Sequence, residues 1–581
     1  MAPKFFQIGF NKCGTTFIAQ LFEMNNIPAV HWLEGELAED IAYSKLTGRK
    51  PLQKWADSVT AFTDMESVRF MNMPIIEAFK EYEYLDSHFP GSVFLLNTRN
   101  VEDWIISRYM HRGGGYARAC AQILGVSVGD LADIWKEDWK RHLRACRAYF
   151  GSRPEFIQIN IDDAAPADYY EALSPWFDLK HCPEPIGKRV RKKREAYLPR
   201  LGEMLTAPEP ADMVSESARK DVAARLSAFC APASISHAAG GFSPRLRMPV
   251  CFDVESGEIH APDSGLLPII RDDDGRYHAD PAVPALRPTA AAVNDIAQVA
   301  DHGEYWLDMR LNCLAGAVKG HAAAAPILAP SRRAGVENVF LWPMPWLHRL
   351  GSGGLPGIVP RKEKPFENKL DHAVWAGDLT GYARGEEGPD LSRPVSGAID
   401  RLVGSQYDSP RFRAGKSDLA DSARLGFIES CAGSELVDII FNPRGRVRKA
   451  LERTELDQFQ AIGKEHGSPF DYRYIVSLGG VPGSDEFLLH ANSHSVVLKE
   501  EDGWELYHSG VFRPWEHYIP LNWGAADLEE KLDWARHHPD ECKQMSRAAR
   551  DLCMILADPA GRRMQLSMIL GEYRAATGQG E

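Results

Sequence analysis

The sequence predicts an α/β fold with parallel sheets covered by helices, and three observations support this. Predicted strands and helices alternate in two separate stretches of the chain. With 581 residues, the chain is long enough for more than one core, since a domain takes about 100–200 residues. Hydrophobic residues make up 44% and charged residues 25% of the sequence, which is ordinary for a folded globular protein. We therefore expect two α/β domains rather than a small module, a fibre or a disordered chain.

The charge balance and the apolar runs exclude several classes of function. The chain has 67 Lys and Arg against 80 Asp and Glu, a formal net charge of −13, which argues against nucleic acid as a partner. No apolar run reaches the roughly 18 to 20 residues that span a bilayer, and residues 1–10 lack a signal-peptide pattern. The expected compartment is the cytoplasm, with peripheral contact at the inner face of the membrane as the alternative.

The ten cysteines are scattered and include no CxxC pair. This spacing is typical of reduced thiols rather than of a disulfide framework or a zinc ribbon. We therefore expect no metal.

The first domain is predicted over residues 1–200 and opens with a strand, a turn and a helix. The apolar patterns predict strands over 5–10, 27–31, 92–98 and 156–161, with helices over 16–24, 101–109 and 167–176. This order of elements predicts a parallel sheet with helices on both faces.

A boundary follows the first domain. Between Thr206 and Pro249 the composition shifts to Ala, Ser, Pro and Gly, which is typical of a linker, and we assign residues 201–249 to it. The second domain is predicted over residues 250–581. Its patterns predict strands over 305–311, 326–330, 338–342, 436–441, 472–478, 495–498 and 517–520, with helices over 484–492 and 528–537.

The turn after the first strand has the composition of an anion-binding loop. It reads Gly9-Phe-Asn-Lys-Cys-Gly14-Thr15-Thr16 and lies between a strand and a helix, where backbone N–H groups and the helix dipole attract phosphate. A Walker A loop, GxxxxGKS/T, places its lysine after the second glycine, whereas here Lys12 precedes Gly14. The loop therefore favours a phosphate ligand and disfavours an ordinary ATPase or kinase.

This loop resembles the 5′-phosphosulfate loop of the sulfotransferases, whose pattern is close to PKxGTT, with Asn11 at the usual position of Pro. A second motif supports the resemblance, because Arg99 ends a strand and Ser107 follows eight residues later, as in that family's 3′-phosphate element. An arginine fork at a strand end and a serine about two helical turns on can bond one phosphate. The alternative is a generic βα turn with an unrelated surface arginine.

The resemblance implies a P-loop-like sulfotransferase fold for residues 1–200, with 3′-phosphoadenylyl sulfate as the donor. Lys12 would neutralise charge on the bridging oxygen as adenosine 3′,5′-bisphosphate leaves. The other implied donor-binding residues are Asn11, Gly14, Thr15, Thr16, Arg99 and Ser107.

The acceptor hydroxyl needs a base within hydrogen-bond reach, and this family uses His or Glu at a position that no single motif fixes. Asp64 and Glu66 are the candidates that we favour, and His31 is a further one. The acidic pair could equally cap a helix. For His31, a packed histidine beside Trp32 is the favoured interpretation.

A basic run closes the first domain. Residues Lys188 to Arg194 contain six cations in seven positions. Three interpretations remain open: a solvated face, a clamp over the 3′-phosphate as in late basic loops of sulfotransferases, or contact with an anionic membrane surface.

The second domain carries a strand, a glycine-rich turn and a helix over Tyr472 to Asn492, and the glycine turn suits a diphosphate. With His494 to Lys499 and Arg513-Pro-Trp-Glu-His-Tyr-Ile-Pro520, this stretch resembles the CAP10 or family 90 glycosyltransferases over roughly residues 465–560. Trp375-Ala-Gly377-Asp-Leu-Thr380-Gly381 resembles that family's WRGxxTG element, and Leu341 to Trp346 its aromatic strand.

This resemblance implies a GT-B architecture, a pair of Rossmann-like halves with a UDP-sugar in the cleft, and inverting displacement without a metal. The implied base is Asp308, and the implied donor-binding residues are Gly377, Thr380, Gly483, Ser484 and Lys499. For Ser484 plain N-capping is the alternative, and for Lys499 solvation of a strand end.

Two positions depart from the family pattern. Ala376 replaces the Arg of WRGxxTG, and Glu486 falls where several members carry an Arg. A carboxylate at this helix start opposes the charge of a diphosphate.

Together the motifs predict a bifunctional carbohydrate-modifying transferase. It would transfer a sulfuryl group and a sugar to a surface glycan or a lipopolysaccharide-type glycolipid. One alternative is a glycosyltransferase whose other half serves as a nucleotide-binding or docking module. A non-catalytic scaffold is the other.

Overall fold

The computed structural model describes residues 3–69, 71–183, 196–202, 205, 214–236, 248–261, 268–310, 323–348, 350, 363–386, 388–456, 468–481 and 486–579. The chain divides into two compact units. Unit 1 comprises Met1–Glu209 and Leu267–Asn294, and unit 2 comprises Pro210–Leu266 and Asp295–Glu581. Both contain parallel strands connected by helices, which confirms the predicted α/β class.

The strands of unit 1 are β1 (Phe5–Gln7), β2 (Ala29–His31), β3 (Ala61–Thr63), β4 (Glu66–Ser67), β5 (Ile76–Glu77), β6 (Val93–Thr98), β7 (Phe156–Asn160), β10 (Ile269–Arg271) and β11 (Tyr277–Ala279). Five of them form a parallel sheet in the order β2-β3-β1-β6-β7. Strands β2 and β3, which follow β1 in the chain, lie on one flank of β1 in the sheet. Strand β6 pairs with the opposite flank of β1. The topological switch point therefore lies between β1 and β6.

The helices of unit 1 are α1 (Thr15–Glu23), α2 (Glu36–Thr47), α3 (Tyr82–His88), α4 (Val101–Tyr109), α5 (Gly115–Leu124), α6 (Leu131–Phe150) and α7 (Pro166–Leu173). Successive residues of β1 face opposite sides of the sheet, so Phe5 and Phe6 belong to different apolar clusters. Phe5 packs on the side of α1, which contributes Phe17 and Ile18. The sheet is thus buried on both faces.

Unit 2 contains two five-stranded sheets. The first has the order β15-β13-β12-β8-β9 and mixes parallel with antiparallel pairs; the second has the order β19-β16-β20-β21-β23 and is parallel throughout. Their strands are β8 (Val250–Asp253), β9 (Ile259–His260), β12 (Glu304–Leu307), β13 (Ile327–Ala329), β15 (Val339–Leu341), β16 (Leu370–Gly377), β19 (Val437–Phe441), β20 (Tyr472–Ser477), β21 (Val496–Glu500) and β23 (Ile519–Leu521). In the second sheet the switch point lies between β16 and β20.

Two short antiparallel pairs complete the strands of unit 2: β14 (Arg332–Arg333) with β22 (Trp504–Glu505), and β17 (Tyr382–Arg384) with β18 (Pro389–Pro394). Its helices are α8 (Glu216–Cys230), α10 (Val395–Gly404), α11 (Pro410–Ala420), α12 (Ala423–Cys431), α13 (Gly445–Leu451), α14 (Glu486–Ala491), α15 (Leu528–His537), α16 (Pro539–Ala557) and α17 (Pro559–Thr577). Helix α9 (Arg287–Val299) begins in unit 1 and ends in unit 2.

Part of the segment assigned to the linker is helical. Helix α8 lies within residues 201–249, Ser215 caps its start, and its side chains Val222, Ala223 and Leu226 are buried. The small residues of this helix produce the Ala- and Ser-rich composition that is typical of a linker. The helix nevertheless belongs to the compact unit 2. The basic run Lys188 to Arg194 lies outside the described residues.

Candidate active sites

In unit 1 the loops that follow β1 and β6 meet at the switch point. The Arg99 guanidinium donates to the Lys12 carbonyl at 3.0 Å, and the Asn97 side chain donates to the Cys13 carbonyl. A Cβ at Gly9 would lie 2.2 Å from the Asn97 side-chain oxygen, so only glycine allows this approach. Asn97 at the end of β6 and Arg99 directly after it therefore fix the shape of the loop after β1.

This loop presents donors to an anion. Lys12 and Gly14 have left-handed backbone angles, with φ of 63° and 84°, and Gly14 leads directly into α1. Among the described residues, no side chain caps α1 and its first turn contains no carboxylate, so its initial N–H groups and its dipole remain available. The Nε atom of Arg99 is buried without a hydrogen-bond partner in the described part of the chain. A phosphate or sulfate group fits this donor set.

The Lys12 ammonium is held by a histidine that sequence analysis did not single out. Lys12 Nζ lies 3.2 Å from His111 Nδ1. Burial and the neighbouring cations Lys12 and Arg112 lower the pKa of His111 to about 4, so the imidazole is neutral near pH 7 and accepts from the ammonium. His111 thus orients Lys12 without cancelling its charge.

The structure separates the three candidate bases. The Thr15 hydroxyl donates to Asp64 Oδ2 at 3.4 Å, and His31 Nε2 lies 3.7 Å from Asp64 and 3.2 Å from the Thr16 hydroxyl. Glu66 is only 4% exposed and accepts from Arg108 at 2.9 Å. Asp64 and His31 therefore stand beside the anion loop, whereas Glu66 is buried against Arg108 and Tyr116.

The pKa values of both carboxyl groups are shifted. Burial raises the pKa of Glu66 to about 7, opposed by the charge of Arg108. Burial also raises the pKa of Asp64, opposed by His31 and Lys12. A carboxylate whose pKa is raised is a stronger base than an ordinary one, and this suits it to accept a proton.

The remaining predicted residues of unit 1 lie on the same edge of the sheet. Asn11 is buried and its carbonyl accepts from the Trp104 indole at 3.0 Å. Ser107 is half-buried on the second turn of α4, whose start is capped by the Asn100 side chain. Arg99 directly follows β6, and α4, which carries Ser107, begins two residues later.

Unit 1 also contains a polar cleft of about 650 Å³ along α2. Its lining includes Glu36, Lys54, Arg49, Asp280 and Trp55. Lys54 and Glu36 pair at 2.6 Å, and Arg49 and Asp280 at 3.6 Å. Alternating carboxylates and cations beside an indole suit a hydroxyl-rich ligand, and the volume is that of an ordinary ligand pocket.

In unit 2 the loops after β16 and β20 touch at the switch point. Gly381 has a φ of +90°, and a Cβ there would lie 3.1 Å from the Gly480 Cα. A Cβ at Gly377 would lie 2.7 Å from the Trp375 ring. Thr380, Gly480 and Asp502 line one small cavity of about 10 Å³, which is room for about one water.

Arg424, near the start of α12, joins the two loops and is only 3% exposed. Its guanidinium donates to the carbonyls of Asp378 at 2.9 Å, Gly479 at 3.0 Å and Leu478 at 3.2 Å. It also lies 3.5 Å from the Glu486 carboxylate. No sequence motif marked Arg424, and its role emerges only from the packing.

The other predicted residues of unit 2 have different surroundings. Lys499 Nζ lies 3.4 Å from Glu501 and stands over the ring of Tyr518 at 5.3 Å. Asp308 is fully buried at the end of β12 and accepts from Arg310 at 2.8 Å. Gly483 and Ser484 lie outside the described residues.

Within the described residues, no three His, Cys, Asp or Glu side chains are grouped so that they could hold a metal ion. The nine cysteines in this part of the chain are all free. No helix described by the structure is both long and apolar enough to cross a membrane.

The match to a known family falls on the part of unit 2 that contains strands of its fully parallel sheet. Residues 448–555 match the family model described as glycosyl transferase family 90. Protein O-glucosyltransferase 3 of Rattus norvegicus is 32% identical over 87 residues, which are 14% of this chain and 17% of that protein. Protein O-glucosyltransferase 2 of Danio rerio is 30% identical over 81 residues, 14% of this chain and 16% of that protein.

A viral protein gives a similar match. The uncharacterized protein 027R of Frog virus 3 is 30% identical over 90 residues, 15% of this chain and 9% of that protein. The chain thus spans less than a fifth of the length of each of these relatives. The predicted family 90 resemblance is confirmed over residues 448–555, while the sulfotransferase resemblance of residues 1–200 stays a prediction.

Proposed function

We propose that the protein is a transferase, and that unit 2 transfers a sugar from a UDP-sugar to a hydroxyl group of a glycan. One observation carries this proposal. The segment that matches the glycosyltransferase family supplies β20, β21 and β23, whose carboxyl ends lie on the edge where Arg424 gathers the loops around Gly479. In parallel α/β sheets, nucleotides bind at such a switch point. We also propose that the two five-stranded sheets of unit 2 belong to two Rossmann-like halves in a GT-B arrangement.

The chemistry assigns a role to each group. The acceptor oxygen attacks the anomeric carbon, the bond from that carbon to the diphosphate breaks, and UDP leaves with the electron pair. Arg424 and the backbone N–H groups of the glycine turn, apart from that of Gly479, which donates to Glu500, would offset the diphosphate charge. Asp308 stays the candidate base for the acceptor proton, and the Arg310 guanidinium pairs with its carboxylate.

The change Glu486→Gln is expected to tighten UDP binding by about tenfold, or about 1.4 kcal/mol. Glu486 is 39% exposed and lies 3.5 Å from Arg424, so its charge competes with a diphosphate for this guanidinium. Calorimetry of the full chain with UDP measures the effect. Glu516→Gln, an exposed carboxylate paired with Arg513, is the matched control. Unchanged affinity in a folded Glu486→Gln chain would show that Arg424 does not face the diphosphate.

For unit 1 we propose sulfuryl transfer from 3′-phosphoadenylyl sulfate. The observation that favours it is the uncapped α1 start beside Lys12 and Arg99 at the switch point of the sheet. The acceptor oxygen attacks sulfur, the bond from sulfur to the 5′-phosphate oxygen breaks, and Lys12 offsets the charge on the departing oxygen. The acceptor proton passes to Asp64 or His31.

The cleft along α2 is our candidate path for the acceptor of unit 1. Glu36, which lines the cleft, begins α2 and stands five residues after His31. We propose that this end of the cleft leads toward the anion loop. A surface glycan or a glycolipid head group has the hydroxyl groups that such a lining binds. For the compartment we keep the cytoplasm, with the inner face of the membrane as an alternative location.

The full chain is expected to bind adenosine 3′,5′-bisphosphate at least about tenfold more tightly than ATP, because Arg99 and Ser107 would engage the 3′-phosphate. Calorimetry with both nucleotides measures this preference. Arg99→Ala should reduce it, and Arg147→Ala, on the exposed side of α6, should leave it unchanged. Equal affinity for the two nucleotides would contradict the assignment of the 3′-phosphate site.

A further inference from the structure

Glu500, the last residue of β21, connects two loops through its buried carboxylate. The side chain is only 4% exposed. It accepts from the backbone N–H of Gly479 at 2.6 Å and from that of Gly524 at 2.5 Å. Gly479 follows β20 and Gly524 follows β23, so one carboxylate joins the ends of both strands.

The Gly479 turn is thereby held from two directions. Arg424 binds its carbonyl groups, and Glu500 binds its N–H group. A side chain at position 479 would clash with Asp502, since a Cβ there would lie 2.5 Å from Asp502 Oδ2. Gly479 and Gly480 line the small cavity at the switch point. The shape of the cavity on the side of the glycine turn therefore depends on Glu500.

We propose that Glu500 is a positioning residue for the nucleotide-sugar: its ionised carboxylate fixes the glycine turn in the conformation that binds the diphosphate, and its protonation weakens donor binding. This inference rests on the proposed function of unit 2. A protonated carboxyl group has one acceptor oxygen fewer for N–H donors, so one of the two loops is released.

The surroundings of Glu500 allow this change near neutral pH. Burial raises the pKa of Glu500 to about 7, the two N–H groups oppose this, Asp502 adds to it and Arg424 opposes it. On its own strand, Lys499 pairs with Glu501 and stands over the Phe487 ring of α14. Glu486 of α14 acts through Arg424. The ionised carboxylate therefore predominates above about pH 7 and the protonated form below it.

Protonation of Glu500 has two effects on UDP binding, and they have opposite signs. Loss of the Glu500 charge would by itself favour a diphosphate, whereas loss of the loop anchor would disfavour it. Because Arg424 already offsets part of this charge, the positioning effect is expected to dominate. Glu500→Gln, which mimics the protonated form, should therefore weaken UDP binding.

The experiment is a calorimetric UDP titration of the full chain at about pH 6 and about pH 8, together with hydrogen exchange of the segments that contain Gly479 and Gly524. In the unmodified chain, UDP affinity should rise by about tenfold between the two pH values. Glu500→Gln should show the lower affinity at both, with faster exchange in both segments. Glu530→Gln, an exposed carboxylate of α15, is the control and should behave like the unmodified chain.

The outcomes distinguish the positioning role of Glu500 from the existence of the donor site. UDP binding that keeps the same pH dependence in Glu500→Gln, or that becomes tighter, would overturn the positioning role. Unchanged exchange at Gly479 and Gly524 would overturn it as well. Failure of the unmodified chain to bind UDP at either pH would overturn the donor site itself.

Discussion

Replacing Lys12 with alanine is expected to lower sulfuryl transfer by about two to three orders of magnitude. The Lys12 ammonium belongs to the anion loop itself, and the neutral imidazole of His111 lies 3.2 Å from it. Its removal leaves the charge on the departing phosphate oxygen without its main partner. The measurement is the rate of transfer from 3′-phosphoadenylyl sulfate, together with the affinity for adenosine 3′,5′-bisphosphate.

The fold should survive this change, because Lys12 lies in a loop and contributes charge rather than apolar packing. Lys180→Ala, with its side chain 70% exposed beside Asp178, is the control and should leave both quantities unchanged. Unfolding of the Lys12→Ala chain would show that the loop has a structural role instead. Unchanged nucleotide affinity and rate in a folded chain would remove Lys12 from the site.

Replacing Arg424 with alanine is expected to have the largest effect on unit 2. Three carbonyl groups lose their donor and Glu486 loses its partner, so the free energy of unfolding should fall by about 3 kcal/mol. UDP binding should be lost, because the loops after β16 and β20 are no longer joined. Thermal unfolding and UDP calorimetry of the full chain measure the two effects.

Arg424→Lys separates folding from binding. A lysine keeps the charge but lacks the planar fork that reaches three carbonyl groups at once, so this chain should fold and bind UDP at least about tenfold more weakly. Arg413→Ala, an exposed residue of α11, is the control. A folded Arg424→Lys chain with full UDP affinity would contradict the role of the guanidinium.

Local patterns predicted the elements that carry the unit 1 site. The helix expected over 101–109 has the observed bounds of α4, because the Asn100 cap and the apolar spacing are local features. The strand expected over 92–98 corresponds to β6. Lys12 and Arg99 were predicted as donor-site residues because each comes soon after an apolar strand, and parallel strands place such residues at one edge. The structure brings the two residues together, with the Arg99 guanidinium on the Lys12 carbonyl.

Other features depend on contacts that no local pattern records. Arg424 and Glu500 lie 55 and 21 residues from Gly479 in the sequence. Glu500 is one of four consecutive charged residues, Lys499 to Asp502, so no local feature distinguishes it. Leu267–Asn294 belongs to unit 1 although unit 2 residues precede and follow it. Alternation alone would place Asp64 and Glu66 on one face, but the left-handed backbone at Asp64, with a φ of 56°, breaks that alternation and turns Glu66 into the core.

We infer that each unit binds its own nucleotide at the switch point of its parallel sheet. Calorimetric titration of the full chain with UDP and with adenosine 3′,5′-bisphosphate, in the unmodified, Lys12→Ala and Arg424→Lys forms, tests it most directly. We expect Lys12→Ala to weaken the bisphosphate alone and Arg424→Lys to weaken UDP alone. Failure of either nucleotide to bind the unmodified chain, or one substitution weakening both in a folded protein, would contradict the claim.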